Sequence, residues 1–243
     1  MDSNSLIINL KNISFSYSSD KLILDRLSFQ LHSGDRVGVV GPNGSGKTTL
    51  FHIIMGLLRP SSGKIELFDK PANEEKDFRE VRKKIGLLFQ DADDQLFSPT
   101  VLEDVAFGPL NLGKSPEEAG DIALKTLARL DLSGFENRIT YKLSGGEKRL
   151  VSLATVLAMD PEVLLLDEPM NGLDDETEER ITDILKGLNL SCIFISHNLD
   201  FLFKTTERIY AMVNGKVSLD EELVPHPHIH AHKFGRLHHE HKS

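Results

Sequence analysis

Cysteine is almost missing from this chain. Cys192 is the single thiol among 243 residues, so an internal disulfide is excluded. It stands in the apolar run Cys192-Ile193-Phe194-Ile195, where a plain core residue is the better reading than a reactive thiol. Long hydrophobic runs are missing too. No stretch approaches the roughly 18 uninterrupted apolar residues that a bilayer span needs. Residues 1–10 lack the charged start and long apolar core of a signal peptide. The expectation is a soluble, cytoplasmic chain that reaches a membrane only through a partner. Positive charge is in deficit, with a formal net charge of −9, which opposes a nucleic-acid backbone as partner. No internal repeat is present. Apolar residues make up 40% of the chain, ample for one good-sized core with or without a subdomain.

The first third is rich in strand signals. Leu6–Leu10, Ile13–Tyr17 and Leu27–Leu31 are short β-favouring pieces separated by polar turns. Arg36–Val40, Gly63–Phe68 and Ile85–Phe89 read as further strands, and Thr48–Leu57 as a helix. From about Val101 to Met159 the period becomes helical, with Pro116–Leu130 and Gly145–Met159 carrying apolar stripes. Strand signal returns at Val163–Leu166, Cys192–Ile195 and Arg208–Val213, with a helix expected over Asp175–Leu188. Strand–helix alternation interrupted by a helical block predicts a parallel α/β core with an inserted helical subdomain.

Two glycine-rich segments carry the chemistry. Gly41-Pro42-Asn43-Gly44-Ser45-Gly46-Lys47-Thr48 is a complete P-loop, continued by Thr49. Its glycines let successive N–H groups point at phosphate oxygens, Lys47 adds a fixed positive charge for the β- and γ-phosphates, and the Thr48 hydroxyl is placed for Mg²⁺. Leu143-Ser144-Gly145-Gly146-Glu147 is a second helix N-terminus opening with glycines after a capping serine, hence a second anion site. One nucleotide does not need two such sites far apart in one chain. Two chains packed head to tail would use both.

Val163-Leu164-Leu165-Leu166-Asp167-Glu168 is an apolar strand ending in two carboxylates. Ligands gather at the carboxyl ends of parallel strands. Asp167 would reach the Mg²⁺ shell, directly or through water, and Glu168 could polarise an attacking water. Gln90, after the strand Ile85–Phe89, offers a neutral amide to Mg²⁺ or the lytic water. His197 follows Ile195-Ser196, where its imidazole could contact the γ-phosphate. The Tyr17 ring could stack on adenine or serve only surface packing.

These residues, in this order, resemble the ATP-binding cassette (ABC) family over roughly residues 6–218. The resemblance implies adenine stacking for Tyr17, a Walker A role for Gly41–Thr48, a Q-loop at Gln90 and a signature at Leu143–Glu147. It further implies Walker B and the catalytic glutamate in Val163–Glu168, a D-loop at Asp174 and a switch histidine at His197. The implied fold is a P-loop NTPase core of ABC type with an N-terminal β-subdomain and a helical insertion at about 91–161, the whole spanning 1–222. Bound ATP and Mg²⁺ and a two-cassette sandwich, homo- or heteromeric, follow from the same resemblance. Met170-Asn171 stand where most relatives carry Thr-Ser, and Glu147 where many exporters carry Gln.

A narrower stretch, Gln90-Asp91-Ala92-Asp93-Asp94-Gln95-Leu96-Phe97-Ser98-Pro99-Thr100-Val101 followed by Glu103–Pro109, is similar to the ATPases of energy-coupling-factor importers of vitamins and transition metals. That likeness implies integral membrane transport subunits as partners and a place on the cytoplasmic face of the membrane. Residues 223–243 read as a flexible tail. It holds His226, His228, His230, His232, His238, His239 and His241, seven of the ten histidines. Imidazoles there suit a transition metal, against the plainer reading of a purification tag or a passive polar tail. Three functions remain: a cobalt or nickel importer ATPase, an importer ATPase for a vitamin or another solute, and a soluble cassette ATPase. The last is disfavoured by the net charge, the single cassette and the lack of a long coiled-coil insertion.

Overall fold

The structure, a computed structural model, describes residues 5–18 and 21–220. The histidine-rich stretch that was expected to be a flexible, metal-binding tail lies outside them.

Two sheets enclose the first helix. The smaller has the order β2-β1-β4-β5 and is antiparallel, from β1 (Leu6–Phe15), β2 (Leu24–His32), β4 (Ser62–Leu67) and β5 (Lys70–Pro71). The larger has the order β10-β9-β3-β8-β7-β6. In it β3 (Arg36–Val40), β6 (Ile85–Leu88), β7 (Val163–Asp167), β8 (Ser191–Ile195) and β9 (Arg208–Val213) run parallel, with β10 (Lys216–Leu219) antiparallel at one edge.

The parallel strands β6, β7 and β8 are buried at every residue, as helix-flanked strands must be. In β7 the alternation is explicit. Val163 and Leu165 join the core under α1 (Lys47–Ile54) and the small sheet, while Leu164 and Leu166 join the core under the helices of the opposite face. That second core takes in α3 (Val101–Asn111), α4 (Pro116–Arg129), α5 (Gly145–Leu157), α6 (Asp175–Lys186) and α7 (Leu199–Thr205).

Several expectations changed in detail. Leu6–Leu10 and Ile13–Phe15 are one strand, which stops short of the expected Tyr17: Lys11 and Asn12 form an irregularity in the pairing with β2, where Asn12 takes φ 53°, so a polar pair marks a bulge and not a turn. The helix α2 (Glu75–Val81) and α7 were not foreseen. Each is only 7 residues long, too short to print a clear period. The helical block is opened by reciprocal caps: Thr100 with Glu103, Ser115 with Glu118, Ser144 with Glu147. Each pair satisfies otherwise unpaired N–H groups of a first turn.

Arg36, at the start of β3, closes the other ends. Its guanidinium donates to the carbonyls of Leu185, Leu188 and Thr205 at 2.9–3.1 Å, where α6 and α7 stop. Orphan carbonyls of two helices thus share one cation. Cys192 is fully buried in β8, and burial pushes its thiol up to about 11. A maleimide reagent at mildly alkaline pH is expected to leave Cys192 unmodified in the native chain and to modify it in denaturant. Labelling of the native chain at the denatured rate would contradict this core.

Candidate functional site

The sheet order brings the carboxyl ends of β3, β8, β7 and β6 side by side, and the P-loop leaves β3 at that edge. Two of its glycines are there because this chain leaves no room for a Cβ. At Gly41 it would lie 2.2 Å from the carbonyl oxygen of Met212 in β9, and at Gly46, φ 107°, 2.7 Å from Leu24. The tight turn is wedged against the protein's own sheet.

Lys47, only 8% exposed, donates from Nζ to the Gly41 and Pro42 carbonyls at 2.7 and 3.2 Å. Burial lowers its pKa, and the charges of Glu168 and Asp167 oppose that shift. The hydroxyl of Thr48 donates to Asp167 Oδ2 at 2.7 Å, joining the P-loop helix to the end of β7. Asp167 is 3% exposed, and burial raises its pKa against the Thr48 hydrogen bond and Lys47. Burial raises Glu168 likewise, against a backbone hydrogen bond from His197. Glu168 takes φ 45°, a left-handed conformation that is uncommon for an L residue other than glycine.

Its carboxylate meets His197 twice. The His197 N–H donates to Oε2 at 3.3 Å, and Nε2 lies 3.4 Å from Oε1. Oε1 is buried without a well-formed hydrogen bond, since the imidazole contact is close but poorly aligned. Ser45 Oγ, inside the P-loop, is likewise buried without a partner. Oxygen atoms left wanting in this way suit a site that receives a polar ligand.

A cavity of about 610 Å³ joins all of these groups but Ser45. It is lined by Asn43, Gly44 and Gly46–Thr49 of the P-loop and by Tyr17, Gln90, Asp167, Glu168, Asn171 and His197. Tyr17 is 64% exposed, packs edge-on against Phe15 and has its hydroxyl 3.2 Å from Thr49 Oγ1. Ser144, Gly145, Gly146 and Glu147 are not among the lining residues. Gly145 lines a neighbouring cavity of about 810 Å³, which shares Thr48, Gln90, Asp167 and Asn171 with the first.

The signature residues differ from one another. Ser144 caps α5. The Glu147 carboxylate accepts from the Ser144 N–H at 2.8 Å and pairs with Arg138 at 2.7 and 3.2 Å, which holds it below the usual carboxylate range. It serves the helix start, where the expectation had placed it on the nucleotide. A Cβ on Gly146 would meet Thr177 Oγ1 at 3.0 Å within the same chain, whereas one on Gly145 meets nothing within 4 Å. Asp174 is the N-cap of α6, its carboxylate accepting from Thr177. Arg149 was missed. It is buried, and its guanidinium donates to the carbonyls of Phe89, Gln90 and Glu168. The available signal was a cation on the face that Leu153 and Val156 continue in α5.

The ABC transporter family profile matches residues 24–171. The chain belongs to the ABC transporter ATPase family. A putative ABC transporter ATP-binding protein of Nitratidesulfovibrio vulgaris is 49% identical over 98% of this chain and 87% of its own length. The energy-coupling factor transporter ATP-binding protein EcfA of Methanothermobacter thermautotrophicus is 40% identical over 87% of this chain and 69% of its own. Among solved structures, CbiO1 of Clostridium perfringens, part of the ABC transporter complex CbiONQ, superposes with a TM-score of 0.78 at 33% identity, covering 88% of both chains. The cassette MJ0796, in a dimeric post-hydrolysis state with ADP and Pi, gives 0.79 at 29% identity over 88% of this chain and 98% of its own. The expected fold and the ATPase activity are those of the family. No helix among the described residues is long and apolar enough to cross a membrane.

The glycine geometry separates two kinds of P-loop substitution. Gly44→Ala meets open space and carries only the left-handed penalty, about 1 kcal/mol. Gly41→Ala drives a Cβ into backbone and is expected to lower the melting temperature well beyond the ~2–4 °C that 1 kcal/mol represents at this length. Equal melting temperatures for the two variants would contradict the wedged loop.

Proposed function

We propose that this chain is the ATP-hydrolysing subunit of an energy-coupling-factor type importer, working as a homo- or heterodimer beneath integral membrane subunits on the cytoplasmic face, with cobalt or nickel as the solute. The observation that carries this reading is the convergence of Lys47, Thr48, Asp167, Glu168 and His197 on one cavity, in a chain 40% identical to EcfA.

Phosphates entering the cavity would draw Lys47 from the Gly41 and Pro42 carbonyls and take the N–H groups of Gly44 to Thr49. Tyr17 would offer its exposed face to the adenine. The oxygen donors Thr48, Asp167 and Gln90 suit Mg²⁺, a hard cation that prefers such ligands. Bound there, Mg²⁺ would supply charge neutralisation for the β- and γ-phosphates. Glu168 would take the proton of the attacking water. Burial raises its pKa, which favours that transfer, and His197, 3.4 Å from its Oε1, would orient the carboxylate and face the γ-phosphate. Ser144, Gly145 and Gly146 would engage the nucleotide held by the other chain, with the D-loop at Asp174 between the two sites.

The membrane subunit would meet residues Asp93–Pro99. Phe97 is 66% exposed there and stacks edge-on with the exposed Phe107 of α3. The histidine tail at 223–243 would buffer the metal, and the cassette domain at 1–222, with its helical insertion at 91–161, would drive transport.

Glu168→Gln is expected to keep ATP affinity and lose hydrolysis by about 100-fold or more, since the amide cannot accept the proton. Lys47→Ala is expected to weaken ATP binding itself. Steady-state ATPase assays and calorimetry separate these outcomes, and near-normal turnover of Glu168→Gln would overturn the assignment.

Uptake by the reconstituted complex tests the solute: cobalt or nickel is expected, and a vitamin without metal would overturn that part. Removing residues 225–243 should abolish most Ni²⁺ or Co²⁺ binding by the isolated chain while sparing hydrolysis. Unchanged calorimetric binding would exclude the tail as the metal site.

A further inference from the structure

Arg149 has no place in the chemistry just described, yet it touches two of its parts, Gln90 and Glu168, at once. It is 3% exposed, in the second turn of α5. A buried guanidinium must satisfy its donors, and the three hydrogen bonds this one makes all go to backbone carbonyls. Nη1 donates to the Phe89 carbonyl at 2.5 Å. Nη2 donates to Gln90 at 2.9 Å and to Glu168 at 2.6 Å. The last of these matters most. Glu168 is held at φ 45°, a conformation that persists only where its surroundings impose it. Its N–H is fixed by the Ile195 carbonyl at 2.9 Å. Its own carbonyl accepts from Arg149 and, at 3.1 Å, from the Asn171 N–H. Together these three bonds, of which Arg149 supplies the only one from a side chain, set the direction in which the Glu168 side chain leaves the backbone.

The same helix also holds the segment that follows β6. Lys148 pairs with Asp93 at 2.5 Å. Gln95 donates to the Ser152 carbonyl and to Thr155 Oγ1 at 2.9 and 2.8 Å, and accepts from the Phe89 N–H at 3.2 Å. So α5 and residues 89–95 are bound at several points along two turns. One turn before Arg149, about 5–6 Å along the axis, lies Gly145.

We propose that Arg149 is a positioning residue for hydrolysis, which acts by fixing the strained Glu168 backbone to α5 and to Gln90. The helix that presents Ser144 and Gly145 to the other chain's nucleotide thereby also sets the aim of this chain's own Glu168. The inference rests on the reading of Glu168 as the group that receives the water's proton.

The test is a kinetic cycle on the full chain: Arg149→Met, Arg149→Lys, Glu168→Gln and Arg149→Met with Glu168→Gln, each with a thermal melt. Arg149→Met should lower kcat about 10- to 100-fold, the scale of a small misplacement, and leave KM for ATP within about twofold. Arg149→Lys, which keeps the charge but bonds fewer carbonyls, should fall between. In the Glu168→Gln background Arg149→Met should cost nothing further, because a residue that acts through Glu168 loses its effect when Glu168 no longer works. Multiplying losses in the double variant, or a kcat for Arg149→Met within twofold of the unmodified chain, would overturn the proposal. Should Arg149→Met melt before assay temperature, the same comparison made with Arg149→Lys decides it. Failure of the underlying reading looks different: Glu168→Gln would then itself turn over normally.

Discussion

The hydrogen bond from Thr48 to Asp167 is the constraint around which the site is arranged. It joins the first turn of α1 to the last residue of β7, positions 119 apart in the sequence, at 2.7 Å. Neither partner is comfortable alone. Asp167 is almost fully buried and its pKa is raised, so its charge needs the hydroxyl and the nearby Lys47. Lys47, also buried, spends its donors on the P-loop carbonyls. Two desolvated carboxylates and one desolvated ammonium therefore sit within one cavity, and the arrangement suits a charged, polar ligand.

That arrangement depends on the sheet. Strands that are parallel and buried on both faces end together, and what each carries past its last residue meets there: the P-loop after β3, Asp167 and Glu168 at β7, His197 after β8, Gln90 after β6. The helical face is a separate core, and three of its helices, α3, α4 and α5, start with serine or threonine answered three residues later by glutamate. At α5 this device has a consequence. Glu147 lies at a helix start that would approach phosphate, and Arg138 pairs with it in a two-pronged contact. Within one chain Ser144, Gly146 and Glu147 line neither cavity, and Gly145 lines only the neighbouring one.

Much of this was legible in the sequence because it is local. A P-loop, an apolar strand ending in two carboxylates, and a glycine pair after a serine each announce themselves in a few residues. Val-rich Arg36–Val40 and the strand at Arg208–Val213 match the structure residue for residue. What was not legible depends on distant partners. Nothing in Lys11-Asn12 distinguishes a bulge from a turn until β2 is paired against it. The different surroundings of Gly145 and Gly146 depend on Thr177, about thirty residues on. Glu147 was read as part of the signature and Arg149 lies two residues beyond it, but their partners Arg138, Phe89 and Glu168 are brought to them only by the packing of α5. The seven tail histidines are a pattern without described structure, so their reading remains one of composition.

The central claim is that each complete site is built from two chains, the P-loop of one and the α5 start of the other. Gly145→Asp adds bulk and charge where this chain leaves open space, so it should spare the fold and block the shared site. Lys47→Ala disables the P-loop. Each variant alone should be nearly inactive in a steady-state ATPase assay. Mixed in equal amounts, they should form some pairs that combine the intact P-loop of the Gly145→Asp chain with the intact signature of the Lys47→Ala chain, and hydrolysis should return. Verified mixed pairs that hydrolyse no ATP would contradict the account.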